Sequence, residues 1–252
     1  MTLEGKHISA VVVAAMMVAG VACSSSPDSV EDEVDPEAVE AQDEGEHEHD
    51  DHGDHDHGDH HDHSFDDPEE YAERWNDPKR DEWQQPQAII DEMGLEEGMT
   101  IADIGAGTGY FIPFLSEAVG DEGRVIAVDI EESMLDYIEA LAAEEGLENV
   151  ETRLAEGASS GLDEAEVDRV ITVNTWHHIP NRGEYSEHLK SRLKEGGSVW
   201  VVDFHEDSPS GPPEHHRVAP EQVIEELAAG GLAGETRMEL ERQYVIGAEA
   251  AR

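Results

Sequence analysis

Cysteine and basic residues are the two things this sequence has least of. One cysteine in 252 residues excludes an internal disulfide, a paired-cysteine redox motif and a cysteine-rich zinc site. Only 15 lysines and arginines stand against 62 aspartates and glutamates, and the formal net charge is −47. Phosphate backbones and anionic lipid surfaces are bound through clustered lysine and arginine. We therefore expect no nucleic-acid partner and no electrostatic docking onto a membrane.

An apolar run near the start of the chain is too short for a membrane-spanning helix. It extends from Ile8 to Ala22, fifteen residues, whereas a span needs about 20. Lys6 and His7 precede the run and small residues end it, a pattern typical of a secretory signal. We expect residues 1–22 to be a signal peptide.

The single cysteine lies directly after this run. Cys23 follows Gly20-Val21-Ala22 and precedes three serines. The arrangement resembles the lipobox of bacterial lipoproteins, although Gly20 stands where that family usually has an aliphatic residue. The resemblance implies that Cys23 is acylated, and that the protein is exported as a lipoprotein anchored on the periplasmic or cell-surface side. The membrane would be reached only through this lipid; a plain signal peptide or an uncleaved anchor is the alternative.

The next segment, residues 23–64, has too few apolar residues to offset the entropy of ordering the chain. From Asp28 to Glu70 there are 21 acidic residues and no lysine or arginine. Like charges repel along such a segment and extend it. We expect residues 23–64 to be a disordered, acidic linker.

Histidines alternate with carboxylates inside this linker. Neutral imidazoles in such a setting suit Zn²⁺ or Ni²⁺. No fixed ligand spacing is present, so binding would be labile and spread over several sites. A solvated, pH-sensitive spacer is the alternative that the sequence leaves open. The eight candidate metal ligands are His47, His49, His52, His55, His57, His60, His61 and His63.

The remaining residues, 65–252, are expected to form the folded domain. Apolar runs of strand length alternate there with helical stripes, which predicts an α/β fold with a doubly wound, mostly parallel sheet. A closing hairpin adds an antiparallel strand at the C-terminal edge, for seven strands in all. The strand candidates are Met99–Ile104, Arg124–Ile130, Val150–Leu154, Val167–Val173, Ser198–Phe204, Glu235–Leu240 and Gln243–Gly247. The helix candidates are Asp81–Gly94, Tyr110–Val119, Glu132–Glu145, Glu184–Lys194 and Pro220–Ala229.

The turn after the first strand concentrates the chemistry. It carries Gly105, Gly107 and Gly109, and glycines let the backbone approach a ligand closely. The second strand ends in Asp129, about 20 residues past Gly109, where a carboxylate accepts both ribose hydroxyls. Strand, glycine turn, helix, strand and acid together favour binding of an adenosine. NAD and S-adenosylmethionine both contain one.

The spacing of the glycines favours the second ligand. The dinucleotide pattern is GxGxxG, with a helix N-terminus facing a pyrophosphate, whereas here the spacing is GxGxG. Asp103 stands two residues before Gly105, where a carboxylate would repel a pyrophosphate but suits an amine. The segment resembles motif I of the class I S-adenosylmethionine-dependent methyltransferases, and most closely the ubiquinone/menaquinone methyltransferase-like group. Later matches at family spacing are Asp129, Ala155-Glu156-Gly157, Asp168–Asn174 and Leu193–Gly197, so the resemblance covers about residues 83–247.

This resemblance implies a role for each matching residue. Asp103 would hold the amine end of the cofactor and Asp129 its ribose, while Ile130 would pack on the adenine. The backbone of Gly105, Ala106, Gly107 and Gly109 would pass close to the cofactor, Glu156 would lie at the adenine rim, and Asn174 would lie near the transferring methyl. His177 or His178 is a candidate base, and the alternative is that these histidines shape the pocket or bond to the backbone.

The implied function is S-adenosylmethionine-dependent methyl transfer to an unidentified, small-molecule substrate. The alternative is a non-catalytic binding module with the methyltransferase fold and a metal-capturing tail. Neither reading fixes the oligomeric state. Trp75, Trp83 and Trp176 are candidates for the substrate mouth, with core packing as the alternative, and His215-His216 is a further candidate pair.

Overall fold

The computed structural model describes residues 67–251. They form a seven-stranded sheet in the order β3-β2-β1-β4-β5-β7-β6. The strands are β1 Thr100–Ile104, β2 Arg124–Asp129, β3 Val150–Leu154, β4 Val167–Val173, β5 Leu193–Phe204, β6 Leu232–Glu239 and β7 Gln243–Ala250. Strands β1 to β5 pair in parallel, and β7 is antiparallel to both of its neighbours. The predicted fold class, with its C-terminal hairpin, is confirmed.

Seven α-helices accompany the sheet in this range. They are α1 Pro68–Trp75, α2 Arg80–Gln84, α3 Pro86–Met93, α4 Ile112–Val119, α5 Glu132–Glu145, α6 Arg182–Arg192 and α7 Pro220–Ala229. Several begin or end where the sequence indicates: α5 ends at Gly146 in the left-handed conformation, and α7 has Pro220 in its first turn. Two short 3₁₀ helices, Trp176–His178 and Glu214–His216, were not predicted.

The helices cover both faces of the sheet, as a doubly wound fold requires. One face packs mainly against α6 and α7, through residues such as Leu189 and Leu227. The other packs against α3, α4 and α5, through residues such as Ile89, Leu115 and Ile138. Strand β1 is buried along its whole length between these layers. Within residues 67–251 no helix combines the length and the apolar character needed to cross a membrane.

The prediction of one helix over Asp81–Gly94 was wrong. Gln85 has a φ of +51° and separates α2 from α3. The cause is Pro86, which disfavours helical geometry in the residue before it and lacks the N–H that a continuous helix needs. The chain therefore forms two separate short helices, α2 and α3.

The predicted start of the fifth strand was also wrong. Strand β5 begins at Leu193, which pairs with Val167, and the regular ladder resumes at Ser198 opposite Arg169. The residues between them bulge out of the ladder, and Gly196 there has a φ of +79°. The glycine pair marks a bulge inside the strand, and the strand does not start after it.

Candidate functional site

The glycine turn between β1 and α4 is fixed to the end of the neighbouring strand. The backbone N–H groups of Gly105 and Ala106 both donate to the carbonyl oxygen of Val128, at 2.8 and 3.1 Å. Gly105 has a φ of +73°, and a Cβ on it would approach that of Thr175 to 2.9 Å. Glycine is therefore required at this position by both conformation and space.

Asp129 ties the end of β2 to the same turn. Its carboxylate accepts from the N–H of Gly107 at 2.8 Å and from the N–H of Glu131 at 3.1 Å. Burial raises its pKa, and hydrogen bonds from three backbone N–H groups, those of Gly107, Glu131 and Ile130, oppose that rise. The carboxylate is held in place beside the turn, as the sequence predicted from its spacing.

Ile130 follows Asp129 with 66% of its surface exposed. Large apolar side chains are usually covered, so an exposed one beside a fixed carboxylate offers a surface for a flat apolar ligand. Glu156 lies in the exposed turn after β3, and Ala155 in that turn donates to the carbonyl oxygen of Asp129 at 2.8 Å. The structure thus brings the three elements predicted to surround an adenosine to one edge of the sheet.

Asp103, near the end of β1, is almost fully buried, with 3% of its surface exposed. Burial, followed by repulsion from the Asp129 carboxylate, raises its pKa to about 7, although the Arg80 guanidinium acts in the opposite direction. A buried carboxylate beside a second one disfavours its own negative charge. A cation placed next to Asp103 would remove that penalty.

The N-terminal helices lie over the glycine turn. Asn76, just after α1, donates through Nδ2 to the carbonyl oxygen of Thr108 at 2.9 Å and accepts from the Thr108 hydroxyl at 2.7 Å. A methyl group on Gly107 would lie 3.4 Å from the Trp75 ring. Sequence reasoning missed Asn76, because no motif spacing connects it to the turn.

Arg80, in α2, is the cation on this side of the site. Its guanidinium stands 4.0 Å from the centre of the Tyr110 ring and donates to the Trp75 carbonyl oxygen at 2.7 Å. Burial lowers its pKa to about 10, which leaves it charged at neutral pH. The Tyr110 hydroxyl in turn donates to Asp81. Sequence reasoning missed Arg80 as well. The one indication in the sequence was a basic residue beside the predicted helix that precedes the glycine turn.

A histidine–aspartate pair lies at the ends of β4 and β5. His177 Nδ1 is 2.9 and 3.0 Å from the two carboxylate oxygens of Asp203, and the two side chains are 3% and 1% exposed. The backbone N–H groups of His177 and Phe204 also donate to Asp203, at 3.3 and 2.8 Å. An ionised carboxylate only accepts hydrogen bonds, so we infer that His177 carries its proton on Nδ1 and donates it to Asp203. The sequence indicated His177 but not Asp203.

The two histidines of the pair His177-His178 differ in their surroundings. His178 is exposed, and its ring centre lies 4.2 Å from that of His177. The side chain of His177 is buried against the Asp203 carboxylate, whereas His178 is exposed. Of the two candidate bases, the structure therefore distinguishes His177.

Asn174 lies at the end of β4, as predicted, with a φ of +57°. Its side-chain oxygen accepts from Gln243 Nε2, and Gln243 Oε1 accepts from Gln84 Nε2 at 2.6 Å. This amide chain, defined as Gln84, Gln243 and Asn174, joins α2, β7 and β4. The Asn174 amide is thus oriented by side chains that are far from it in the sequence.

The remaining candidates have no contact with the glycine turn among those described, or lie beyond the described range. Trp176 is fully buried and donates to Glu226 at 2.9 Å, so core packing is its role. His215 and His216 are exposed in the second 3₁₀ helix. Within residues 67–251, no group of three histidine, cysteine or acidic side chains is arranged to hold a metal ion. The predicted signal peptide, the lipidation site at Cys23 and the eight histidines of the linker all lie outside the described residues.

The stretch that contains most of this edge is similar to known methyltransferases. Residues 101–197 match a family model described as a methyltransferase domain. A protein-L-isoaspartate O-methyltransferase of Methanococcus maripaludis is 29% identical over 111 residues, which are 44% of this chain and 50% of the relative. A demethylmenaquinone methyltransferase of Lactococcus lactis is 32% identical over 114 residues, 44% of each chain. The chain thus spans about half the length of these curated relatives.

A solved structure extends the likeness to nearly a whole protein. The crystal structure of an S-adenosylmethionine-dependent methyltransferase from Aquifex aeolicus has a TM-score of 0.68 and 29% identity. The match covers 72% of this chain and 97% of that one. The fold is that of the class I S-adenosylmethionine-dependent methyltransferases, as the sequence motifs implied.

We expect Gly105→Ala to damage both the fold and cofactor binding. The added methyl group would collide with Thr175, in addition to the strain at positive φ. Gly146→Ala is the matched control, because its φ of +72° is nearly the same and nothing lies within 4 Å of the added methyl. Urea unfolding gives the loss in free energy of unfolding for each variant. The loss in Gly146→Ala reports the backbone strain alone, and the excess loss in Gly105→Ala reports the collision with Thr175. Equal losses of stability would contradict the close approach at Gly105.

Proposed function

We propose that this protein is an S-adenosylmethionine-dependent methyltransferase that acts on a small-molecule acceptor. The observation that carries the proposal is the connection of the glycine turn to Asp129, with the buried Asp103 and the exposed Ile130 beside it. The match of residues 101–197 to a methyltransferase domain supports the same conclusion.

The residues present fit S-adenosylmethionine at three points. Asp103 is a buried carboxylate that a cationic amine would stabilise. Asp129 retains accepting capacity for hydroxyl groups, because its three backbone donors occupy only part of the lone pairs of the carboxylate. Ile130 offers an apolar surface for the adenine ring, and Glu156 would lie at the edge of that ring. When bound, this cofactor supplies an electrophilic methyl group on a sulfonium.

On the acceptor side, we assign His177 as the base and Asp203 as its positioning residue. Asp203 holds the proton on Nδ1, so Nε2 is the nitrogen free to take a proton from the acceptor's nucleophile. A base is useful only where that nucleophile carries a proton, which favours a hydroxyl, amine or thiol acceptor. The pair also favours catalysis over the alternative of a binding module, because ligand binding alone does not require an oriented imidazole.

Export and metal binding remain proposals that rest on the sequence. The signal at residues 1–22 and the lipobox-like position of Cys23 support a membrane-anchored lipoprotein. The alternating histidines and carboxylates of the linker support labile binding of Zn²⁺ or Ni²⁺. The shortage of basic residues supports a small molecule as the acceptor rather than a nucleic acid.

Calorimetric titration of the full chain with S-adenosylmethionine tests the cofactor site. We expect binding by the wild type and at least a tenfold loss in Asp129→Ala, since two charge-assisted hydrogen bonds of about 1.5–3 kcal/mol each disappear. Asp121→Ala is the control, because Asp121 is an exposed acid just before β2, at the opposite edge of the sheet. Unchanged affinity in Asp129→Ala would place the adenosine elsewhere.

Cofactor affinity should rise with pH through the pKa of Asp103. The folded-state pKa of about 7 lies above the ordinary 3.8, so the unliganded domain holds a proton there and loses stability as the pH rises from about 4 to 7. An ammonium group pairs with the ionised form, so binding at pH 8 should be tighter than at pH 5.5. In Asp103→Asn this dependence should be flattened. The same slope in the variant would assign the titration to another group, such as Asp129.

The tautomer of His177 tests the role of Asp203 without knowledge of the acceptor. In protein labelled with ¹⁵N-histidine, we expect His177 to carry its proton on Nδ1 at pH 8, with His177→Gln identifying the signal. Asp203→Asn should produce a mixture of tautomers, because an amide can donate as well as accept. Asp207→Asn, at an exposed acid nearby, should leave the signal unchanged. An unaltered tautomer in Asp203→Asn would remove Asp203 from the mechanism.

A further inference from the structure

Arg242 lies in the turn between β6 and β7, directly before Gln243 of the amide chain. Its Nε is buried and has no hydrogen-bond partner. Nη1 donates to the Ser210 hydroxyl at 3.3 Å, and the nearest carboxylate, that of Glu241, stands 3.8 Å from Nε. That distance is beyond hydrogen-bond range, and the Glu241 side chain is 69% exposed. The Nε–H of this charged side chain is therefore left without an acceptor, although Nη1 has one.

A second polar side chain without a partner lies in the loop that follows β5. Ser208 is buried, and its hydroxyl makes no hydrogen bond. The loop is closed by a bond from Ser208 N to the His205 carbonyl oxygen at 3.1 Å, and by Arg217, which donates to the Ser208 carbonyl at 2.8 Å. Among the described residues only one other buried side-chain atom is unpaired, the hydroxyl of Thr172 within β4.

Arg242 belongs to the acceptor side of the site. Its guanidinium is 4.9 Å from the centre of the Trp83 ring, and Trp83 lies 6.0 Å from Phe204, the residue after Asp203. The Arg242 carbonyl oxygen accepts from His205 N, so the turn is joined to the loop after β5. The cofactor residues Asp103 and Asp129 lie on the other strands, β1 and β2.

Unpaired buried donors are costly, and they usually indicate a missing partner. Four other described arginines have carboxylates within hydrogen-bond distance, and others, such as Arg217, donate to backbone carbonyl oxygens. Arg153 reaches Glu166 at 2.7 Å, Arg182 reaches Glu226 at 2.8 Å, and Arg237 reaches Glu92 at 2.6 Å. A guanidinium with a free N–H suits a carboxylate, which it can bind through two parallel hydrogen bonds.

We propose that Arg242 and Ser208 bind a carboxylate group of the methyl acceptor. This proposal rests on the proposed function, and it narrows the class of molecule that can be the methyl acceptor. The acceptor is then a small carboxylic acid whose second, protonated group is presented to His177. The acidic surface around the site would repel such a molecule, so Arg242 acts as the determinant that selects it.

Arginine Nε–H signals in the full ¹⁵N-labelled chain test this proposal. The probes are benzoate and its neutral analogue benzamide, titrated at constant ionic strength, with Arg242→Gln identifying the Arg242 signal. We expect benzoate to shift the Nε–H of Arg242 saturably, and benzamide to shift it little. Ser208→Ala should weaken benzoate binding several-fold, and Arg242→Gln by at least about tenfold.

Arg237→Gln is the matched control. Arg237 also lies over an indole, 5.9 Å from the Trp200 ring centre, but it is paired with Glu92 and Glu235. This variant should bind benzoate as the wild type does. Equal shifts from benzoate and benzamide, no shift at Arg242, or an equal shift at Arg237 would each overturn the proposal. A parallel titration with S-adenosylhomocysteine reports the cofactor site separately, so failure there would contradict the proposed function and not the carboxylate site.

Discussion

Parallel pairing of β1 to β5 brings the carboxyl ends of five strands to one edge of the sheet, and the candidate site depends on this constraint. Each strand delivers one polar side chain there: Asp103 from β1, Asp129 from β2, Glu156 after β3, Asn174 after β4 and Asp203 from β5. Short backbone hydrogen bonds then join the ends to one another, as where Val128 accepts from Gly105 and Ala106. The site is therefore built on the rigid part of the fold.

The electrostatics of the edge divide along the sheet. On the β1–β2 side, burial places two carboxylates close together and raises the pKa of both, which prepares that side for a cation. On the β5–β7 side, an imidazole and a guanidinium stand within a domain that is otherwise strongly acidic. A methyl donor that carries positive charge and an acceptor that carries negative charge would thus be sorted to opposite sides before they meet.

The sequence located the residues around the glycine turn better than those at the ends of β5 and β7, for a physical reason. The glycine turn and Asp129 are joined by a fixed length of strand and helix, so spacing along the chain locates them. Gln84 and Gln243 are 159 residues apart and meet only through the fold, so no spacing predicts their contact. Asp203 resembled any residue of a buried strand until its hydrogen bonds were seen. The break at Gln85 was different, because Pro86 is visible in the sequence and the helical stripe was given too much weight.

The amide chain of Gln84, Gln243 and Asn174 has a consequence for how such proteins diverge. Only Asn174 lies within the stretch that matches the methyltransferase domain; the two glutamines, Trp83 and Arg242 lie outside it. Apart from His177, the residues that we propose to bear on the acceptor thus flank the stretch that we propose to hold the donor. Under that proposal, substitutions in the flanks would exchange one substrate for another while the central stretch that holds the donor stays intact.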